Sequence, residues 1–168
     1  RTPLSAGLFL VADGMGGHND GRFASTFVTD TIRNAALLDD AYKDKEELKA
    51  SLVEAIKRAN KQLYDKNTQS GAFRGTTVSG ALIVELAEED NNATHVAYVV
   101  NVGDSRTYHF SIASGFYRVT RDHSTVESLI ESGEITAEER YTDRRRNQID
   151  RCLGHEPNVE VDVFTLLL

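Results

Sequence analysis

The sequence comprises 168 residues and carries 26 acidic against 19 basic side chains, for a net charge of −7. This length suits one domain with a real core, and the acidic balance argues against nucleic acid as a partner, because phosphate backbones require a basic surface. The single cysteine, Cys152, excludes an internal disulfide and favours a reducing, cytoplasmic compartment. No apolar run reaches the length of a membrane span.

Hydrophobic periodicity predicts the elements in the first two thirds of the chain. An apolar run, two stretches with helical spacing and two runs rich in β-branched residues follow one another. They predict a buried strand at 8–12, amphipathic helices at 19–38 and 45–66, and strands at 76–86 and 94–102. The short connection between the last two strands favours a long antiparallel hairpin.

The last third of the chain predicts a second hairpin, two short helices and a final strand. The hairpin pairs 106–111 with 116–120. The short helices begin at Ser124 and Thr136, whose hydroxyls can cap a helix N-terminus, and 159–168 predicts a strand. Antiparallel strands with short connections, and two helices inserted early, indicate an α+β layered fold.

Asp13 follows the first strand, and three of the next four residues are glycine. A dinucleotide-binding fingerprint fails at Asn19, where it requires glycine, and a phosphate loop fails at Arg22 and Phe23, where it requires Lys and Ser or Thr. An incidental Asp in a strand–turn–helix connection is the simplest alternative. A metal-bridging carboxylate is favoured here because a charge at the mouth of a core needs a partner and a similar motif follows downstream.

The second motif places Asp104 in a turn directly after an apolar strand. A hydrolase elbow would use Ser105 as nucleophile, but Thr107 replaces its second glycine and a strand follows where a helix is required. The alternative role for Asp104 is a local ion pair with Arg106. Two loop carboxylates, Asp13 and Asp104, suit magnesium or manganese better than zinc.

A third motif, at 122–124, admits two interpretations. The histidine of Asp122-His123-Ser124 is either buried and hydrogen-bonded beside a helix cap or takes part in catalysis.

Taken together, the motifs resemble those of the PPM family, the metal-dependent type-2C serine/threonine protein phosphatases, and their form is similar to the bacterial branch. They occur in the family's order: V-A-D-G-M-G-G-H at 11–18, G-T-T at 75–77, V-G-D-S-R at 102–106, T-x-D-H-S at 120–124 and R-N-x-I-x-R-x-L-G at 146–154. The resemblance implies an αββα sandwich, in which two antiparallel sheets are flanked by helices. The resemblance covers nearly the whole chain, and it implies that 1–168 form one catalytic domain.

The resemblance also implies an activity and a cofactor. The family hydrolyses phosphoserine and phosphothreonine in protein substrates by direct attack of a metal-bound hydroxide, using two or three manganese or magnesium ions. By this resemblance Asp13 bridges two ions, the carbonyl of Gly14 binds one of them, and Asp104 lies beside a third, weaker position.

Residues 124–147 match the family's flap, a variable insertion beside the cleft. Three consecutive arginines in it, Arg144, Arg145 and Arg146, are candidates for contact with phosphate or an acidic substrate, although a solvated basic loop is the simpler interpretation.

Two pieces of the family pattern are not found in the sequence. These are an opening strand with an Arg and a Glu-Asp pair, and a closing segment with a Ser-Asp-Gly and an Asp-Asn. The chain therefore resembles a phosphatase domain that is incomplete at both ends. We expect it to be inactive alone and to self-associate through unpaired sheet edges; the alternative function is a catalytically impaired regulatory or binding module.

Overall fold

The computed structural model describes residues 6–36, 44–86 and 94–168. The strands are β1 (Ala6–Val11), β2 (Gly14–Met15), β3 (Gly75–Thr76), β4 (Val78–Leu86), β5 (Thr94–Val102), β6 (Tyr108–Ser111), β7 (Gly115–Arg118) and β8 (Asp162–Leu167). The helices are α1 (His18–Ala36), α2 (Lys45–Ser70) and α3 (Thr125–Glu131), with a single 3₁₀ turn at Glu139–Tyr141. The predicted end of the first helix at residue 38 lies outside the described residues.

The main sheet is antiparallel throughout, with the strand order β1-β4-β5-β8. The long hairpin predicted from the sequence is confirmed, since β4 and β5 pair from Val78 opposite Val102 to Leu86 opposite Thr94. Because every neighbour is antiparallel, the C-terminal ends of β1 and β5 meet the N-terminal ends of β4 and β8 at one end of the sheet. The loops that carry the sequence motifs leave from this end.

Two further ladders complete the sheets of the described residues. β2 pairs with β3, and β6 pairs with β7 as the predicted second hairpin. At its open end each strand is two residues shorter than predicted, and at the turn β7 begins one residue earlier. The α+β class with antiparallel sheets is confirmed.

One face of the main sheet packs on α1 and α2. The core consists of alternate strand residues and of the apolar stripes of both helices: Val28, Ile32, Leu52, Ile56, Ala59, Leu63, Leu82, Val84, Val96, Tyr98 and Val100. Each fully buried Leu or Ile stabilises the fold by about 1.5–3 kcal/mol relative to its exposed state. The opposite face leaves Phe9 and Val11 of β1 64% and 67% exposed.

The ends of α2 follow from local capping. The carboxylate of Asp44 accepts hydrogen bonds from the N–H groups of Glu46 and Glu47, which satisfies two donors of the first turn. Gly71, in the left-handed region with φ of 65°, ends the helix after Ser70. The helix is therefore four residues longer than predicted.

The first turn of α1 lies directly against the glycine-rich turn, backbone to backbone. A Cβ on Gly14 would lie 1.8 Å from the carbonyl oxygen of Gly21, and a Cβ on Gly21 would lie 2.5 Å from the carbonyl oxygen of Gly14. Both distances are well inside van der Waals contact, so this approach requires glycine on both sides.

The two short helices after residue 123 depart from prediction in detail. Ser124 is the N-cap residue of α3, but its buried hydroxyl makes no hydrogen bond; its backbone forms a β-bridge with Ile149 instead. Thr136 and Glu139 form the reciprocal hydrogen bonds of a capping box, yet only a 3₁₀ turn follows. None of the described helices combines the length and apolar character needed to cross a membrane.

Candidate metal centre

Asp13 is held by two threonines, Thr76 at the end of β3 and Thr77 directly before β4. Its N–H donates to Oγ1 of Thr77 at 3.0 Å, and its carbonyl accepts from the N–H of Thr77 and from Oγ1 of Thr76, both at 2.9 Å. The main chain is therefore fixed on both sides while the carboxylate itself is exposed. In the sequence, 75–77 stood out only as part of the family pattern. That its threonines hold the main chain of Asp13 becomes visible once β1 is seen to pair with β4.

Asp104 lies in a turn that rests on the same threonine. Gly103 has φ of +109°, and a Cβ on it would lie 2.6 Å from Cγ2 of Thr77, so the turn requires both the left-handed conformation and the missing side chain. The hydroxyl of Ser105 lies 2.6 Å from that of Thr77. Thr77 thus supports both carboxylate-bearing loops.

The electrostatic environment of Asp104 disfavours its charged form. Partial burial is the main cause that raises its pKa, and the negative charges of Asp122 and Asp13 raise it further. A cation near Asp13 and Asp104 would relieve both effects.

Arg106 pairs with Asp122, so the local ion pair with Asp104 considered above is wrong. Its Nε lies 2.9 and 3.0 Å from the two carboxylate oxygens, and Nη2 lies 2.5 Å from Oδ2. This contact raises the pKa of Arg106. Asp122 is buried, and Arg118 is a second, longer partner at 3.4 Å. The pair joins the loop after β5 to the segment after β7.

A chain of alternating charges continues from this pair toward the predicted flap. Arg118 also donates to the buried carboxylate of Glu127 on α3, at 2.5 Å, and Arg140 of the 3₁₀ turn donates to the other oxygen of the same carboxylate. The segment that begins at residue 124 is therefore tied to the Asp104 loop through side chains of opposite charge.

His123 is buried and fully engaged, which confirms the first of its two interpretations. Nδ1 accepts the N–H of Gly103 at 3.0 Å, and Nε2 lies 3.0 Å from Oδ2 of Asp162. Arg151 donates to the other oxygen of Asp162 at 2.8 Å. Burial raises the pKa of Asp162, but the hydrogen bonds from His123 and Arg151 outweigh it, so the net pKa is lowered. With both ring nitrogens occupied, His123 is not placed as a proton donor or acceptor for substrate.

Sequence reasoning missed Asp162 and Arg151. Arg151 lies in the R-N-x-I-x-R-x-L-G motif at 146–154, so the family pattern could have pointed to it. Asp162 carried none before the pairing of β8 with β5 was known.

The remaining candidates are placed less specifically. Ser105 contacts a threonine hydroxyl, with no histidine among its hydrogen-bond partners, so a nucleophilic role finds no support. Arg145 is paired with Asp143, whose pKa falls to about 2 mainly through the side-chain hydrogen bonds from Arg145. Arg144 and Arg146 are exposed in the same loop.

The donor set fits a hard cation in part. Asp13, Asp104 and the carbonyl of Gly14 offer oxygen ligands at one end of the sheet, as magnesium and manganese prefer. Within 6–36, 44–86 and 94–168, however, no group of three His, Cys, Asp or Glu side chains is arranged to hold a metal ion.

Comparison with known proteins gives consistent matches along the chain. A family model described as protein phosphatase 2C matches residues 3–155. The serine/threonine phosphatase stp of Listeria welshimeri is 34% identical over 161 residues, which cover 95% of this chain and 60% of that protein. The chain thus spans about 60% of the length of the curated relatives it matches.

Solved structures match in the same way. Serine/threonine phosphatase Stp1 from Staphylococcus aureus superposes with a TM-score of 0.81 at 31% identity, covering 100% of this chain and 66% of that one. The catalytic domain of the serine/threonine protein phosphatase PstP, in complex with two manganese ions, superposes with a TM-score of 0.68 at 26% identity, covering 98% and 66%.

Proposed function

Because the chain belongs to the protein phosphatase 2C family, we propose that the intact protein hydrolyses phosphoserine and phosphothreonine in cytoplasmic protein substrates, with manganese or magnesium as cofactor. One observation carries the proposal: Asp13 and Asp104 leave the same end of the sheet, and both of their loops rest on Thr77.

Hydrogen bonds within the protein hold the loops of Asp13 and Asp104 in place without a cation. Asp13 extends an exposed carboxylate from a main chain that is already fixed. We propose that this carboxylate would bind both cations and that the carbonyl of Gly14 would bind one of them. Asp104, whose negative charge is disfavoured in the free protein, we assign to a third, weaker position. When bound, two divalent cations would acidify a shared water and offset charge on the phosphoryl oxygens. Further ligands are expected from outside the described residues.

The direct test is hydrolysis of a phosphothreonine peptide by the intact protein, with manganese and then with EDTA. We expect turnover that EDTA abolishes, and we expect Asp13→Asn to abolish it as well, since the substitution keeps the shape of the side chain but removes its charge. Asp30→Asn is a matched control, because Asp30 is an exposed helix residue whose ion pair with Arg33 is also exposed.

Absence of manganese-dependent turnover in the intact protein would overturn the proposal. A folded protein that bound phosphopeptide without hydrolysing it would support the impaired binding module instead.

We further propose that 124–147 acts as the flap and that Arg144 and Arg146 contact the acidic part of a substrate. The backbone hydrogen bond from Thr125 to Gln148 and the bridge from Ser124 to Ile149 close the base of this segment. Replacing Arg144 and Arg146 together by Gln should raise KM for a phosphopeptide without changing hydrolysis of p-nitrophenyl phosphate. An equal effect on both substrates would contradict the assignment.

Residues 1–168 expressed alone are proposed to self-associate. Phe9 and Val11 expose apolar surface on an edge strand, which is a template for pairing with another chain. Analytical ultracentrifugation should show concentration-dependent association that Phe9→Lys weakens, whereas Tyr141→Lys, at an exposed site on the 3₁₀ turn, does not. A monomer at all concentrations would contradict it.

A further inference from the structure

We propose that His123 is a positioning residue for Asp104 and acts through the two peptide groups that flank Gly103. The inference rests on the metal site of the proposed function, but the hydrogen bonds it uses are formed between residues of this chain and involve no cation. His123 contacts neither Asp13 nor the carboxylate of Asp104 in any hydrogen bond of the structure, so its effect must pass through the backbone.

Two reciprocal hydrogen bonds join His123 to Gly103. The N–H of Gly103 donates to Nδ1 of His123 at 3.0 Å, and the N–H of His123 donates to the carbonyl of Gly103 at 2.9 Å. That carbonyl belongs to the peptide group that leads into Asp104, and it also accepts from Nδ2 of Asn101 at 3.1 Å. His123 therefore orients the peptide on each side of Gly103.

The second ring nitrogen selects the tautomer that makes this possible. Since Nδ1 accepts from Gly103, it carries no proton, and Nε2 of the neutral ring is the donor to Asp162 at 3.0 Å. Nη1 of Arg151 lies 3.1 Å from Nε2, but both groups are donors in this tautomer, so they share the carboxylate of Asp162 rather than bond each other. Asp162 thus keeps the acceptor of the ring directed at Gly103.

Gly103 needs such support because its own conformation is unusual. Its φ of +109° is sparsely populated by other residues, and glycine carries no side chain that could anchor the turn. Partners that orient metal ligands typically contribute 10–100-fold to metal affinity. We expect His123 to contribute in this range to the cation site that uses Asp104.

The first test compares two variants of the intact protein by manganese titration calorimetry. His123→Leu removes both side-chain contacts and should weaken the manganese site by about tenfold or more. His123→Asn offers an amide oxygen close to the position of Nδ1 and should recover part of the affinity. His109→Leu, on β6, is the control and should leave binding unchanged.

A double-mutant cycle separates positioning from general destabilisation. In an Asp104→Asn background, His123→Leu should cause no further loss of manganese affinity, because the ligand that it positions is already impaired. Independent, multiplicative losses would overturn the proposal, as would unchanged binding by folded His123→Leu.

A metal-free measurement keeps the inference distinct from the proposed function. In ¹⁵N spectra at neutral pH, Nδ1 of His123 should be unprotonated and Nε2 protonated, and the amide of Gly103 should exchange slowly. Asp162→Asn should speed hydrogen exchange of the Gly103 amide, because it weakens the contact that orients the ring of His123. This variant can be used if the His123 variants fail to fold. Reversed protonation of the ring, or exchange unaffected by Asp162→Asn, would refute the positioning role even if wild type proved inactive as a phosphatase.

Discussion

The hydroxyl oxygens of Thr77 and Ser105 lie 2.6 Å apart, and this contact joins the loop of Asp13 to the loop of Asp104. The two loops follow β1 and β5, which are not neighbours because β4 lies between them. Thr77 precedes β4 and so reaches both. The spacing of the two carboxylates is therefore determined by a residue that need not touch a cation.

Thr77→Val should destabilise the protein by about 1–2 kcal/mol, because it leaves the N–H of Asp13 without its acceptor while preserving side-chain shape. It should also weaken manganese binding by the intact protein. Urea unfolding and calorimetry measure the two effects. Thr165→Val, at an exposed position of β8, is the control and should be near neutral; equal effects of both substitutions would contradict a specific role for Thr77.

Arg106→Met should destabilise the protein by about 2 kcal/mol, since it removes the closer of the two ion pairs that the described residues give the buried carboxylate of Asp122 and leaves the longer one, with Arg118. Arg106→Lys keeps the charge but loses the two-pronged geometry, so it should recover only part of this loss. The control is Arg33→Met, whose pair with Asp30 is exposed and contributes little. Denaturant unfolding measures the free energy of unfolding of all three variants. If Arg33→Met lowered it as much as Arg106→Met, the special contribution of the Arg106–Asp122 pair would be refuted.

Asp104→Asn should raise the melting temperature of the protein at pH 7 in EDTA. The pKa of Asp104 is raised above its ordinary value of 3.8, chiefly by burial. Between the two pKa values the folded state binds more protons than the unfolded state, so stability falls as pH rises through this window. The substitution removes that loss, and its gain should shrink toward zero as the pH falls below 3.8 and the carboxyl becomes neutral in both states.

Thermal unfolding at pH 7 and pH 3.5 measures this effect, with Asp30→Asn as the exposed control. A lower melting temperature for Asp104→Asn at pH 7 would show that hydrogen bonds to the charged carboxylate outweigh its burial. A gain in stability together with weaker manganese binding is the trade expected of a functional charge.

Residues 1–168 alone should bind manganese weakly. The described part of the chain offers two carboxylates and one carbonyl to the proposed site, and it contains no group of three ligating side chains. This is too little negative charge to hold two dications close together. Titration calorimetry of 1–168 beside the intact protein measures the difference. Tight binding of two ions by 1–168 would mean that the site is completed by residues not recognised here.

The order and type of the main elements could be predicted because they depend on local periodicity. The apolar stripe of α2 was visible from Leu52 to Leu63, and its burial confirms it. The helix continues to Ser70 through a polar last turn that carries no such stripe, and Gly71 was the readable stop signal.

The contacts of the candidate site could not be predicted because they join segments distant in sequence. The sequence suggested an ion pair between Arg106 and the nearby Asp104. In the structure the hairpin of β6 and β7 brings Asp122, 16 residues further along the chain, into contact with Arg106 instead. Ser124 has the right residue type for a cap, but its backbone is engaged by Ile149 and its hydroxyl is left unpaired.

The approach of Gly14 to Gly21 has a consequence for how this protein can change during evolution. Most tight contacts between side chains can be relieved by a compensating substitution, since a smaller partner makes room for a larger one. Here each glycine is limited by the carbonyl oxygen of the other, and every amino acid has that oxygen. No second substitution at the facing position restores the space, so this backbone approach can persist only while both positions are glycine.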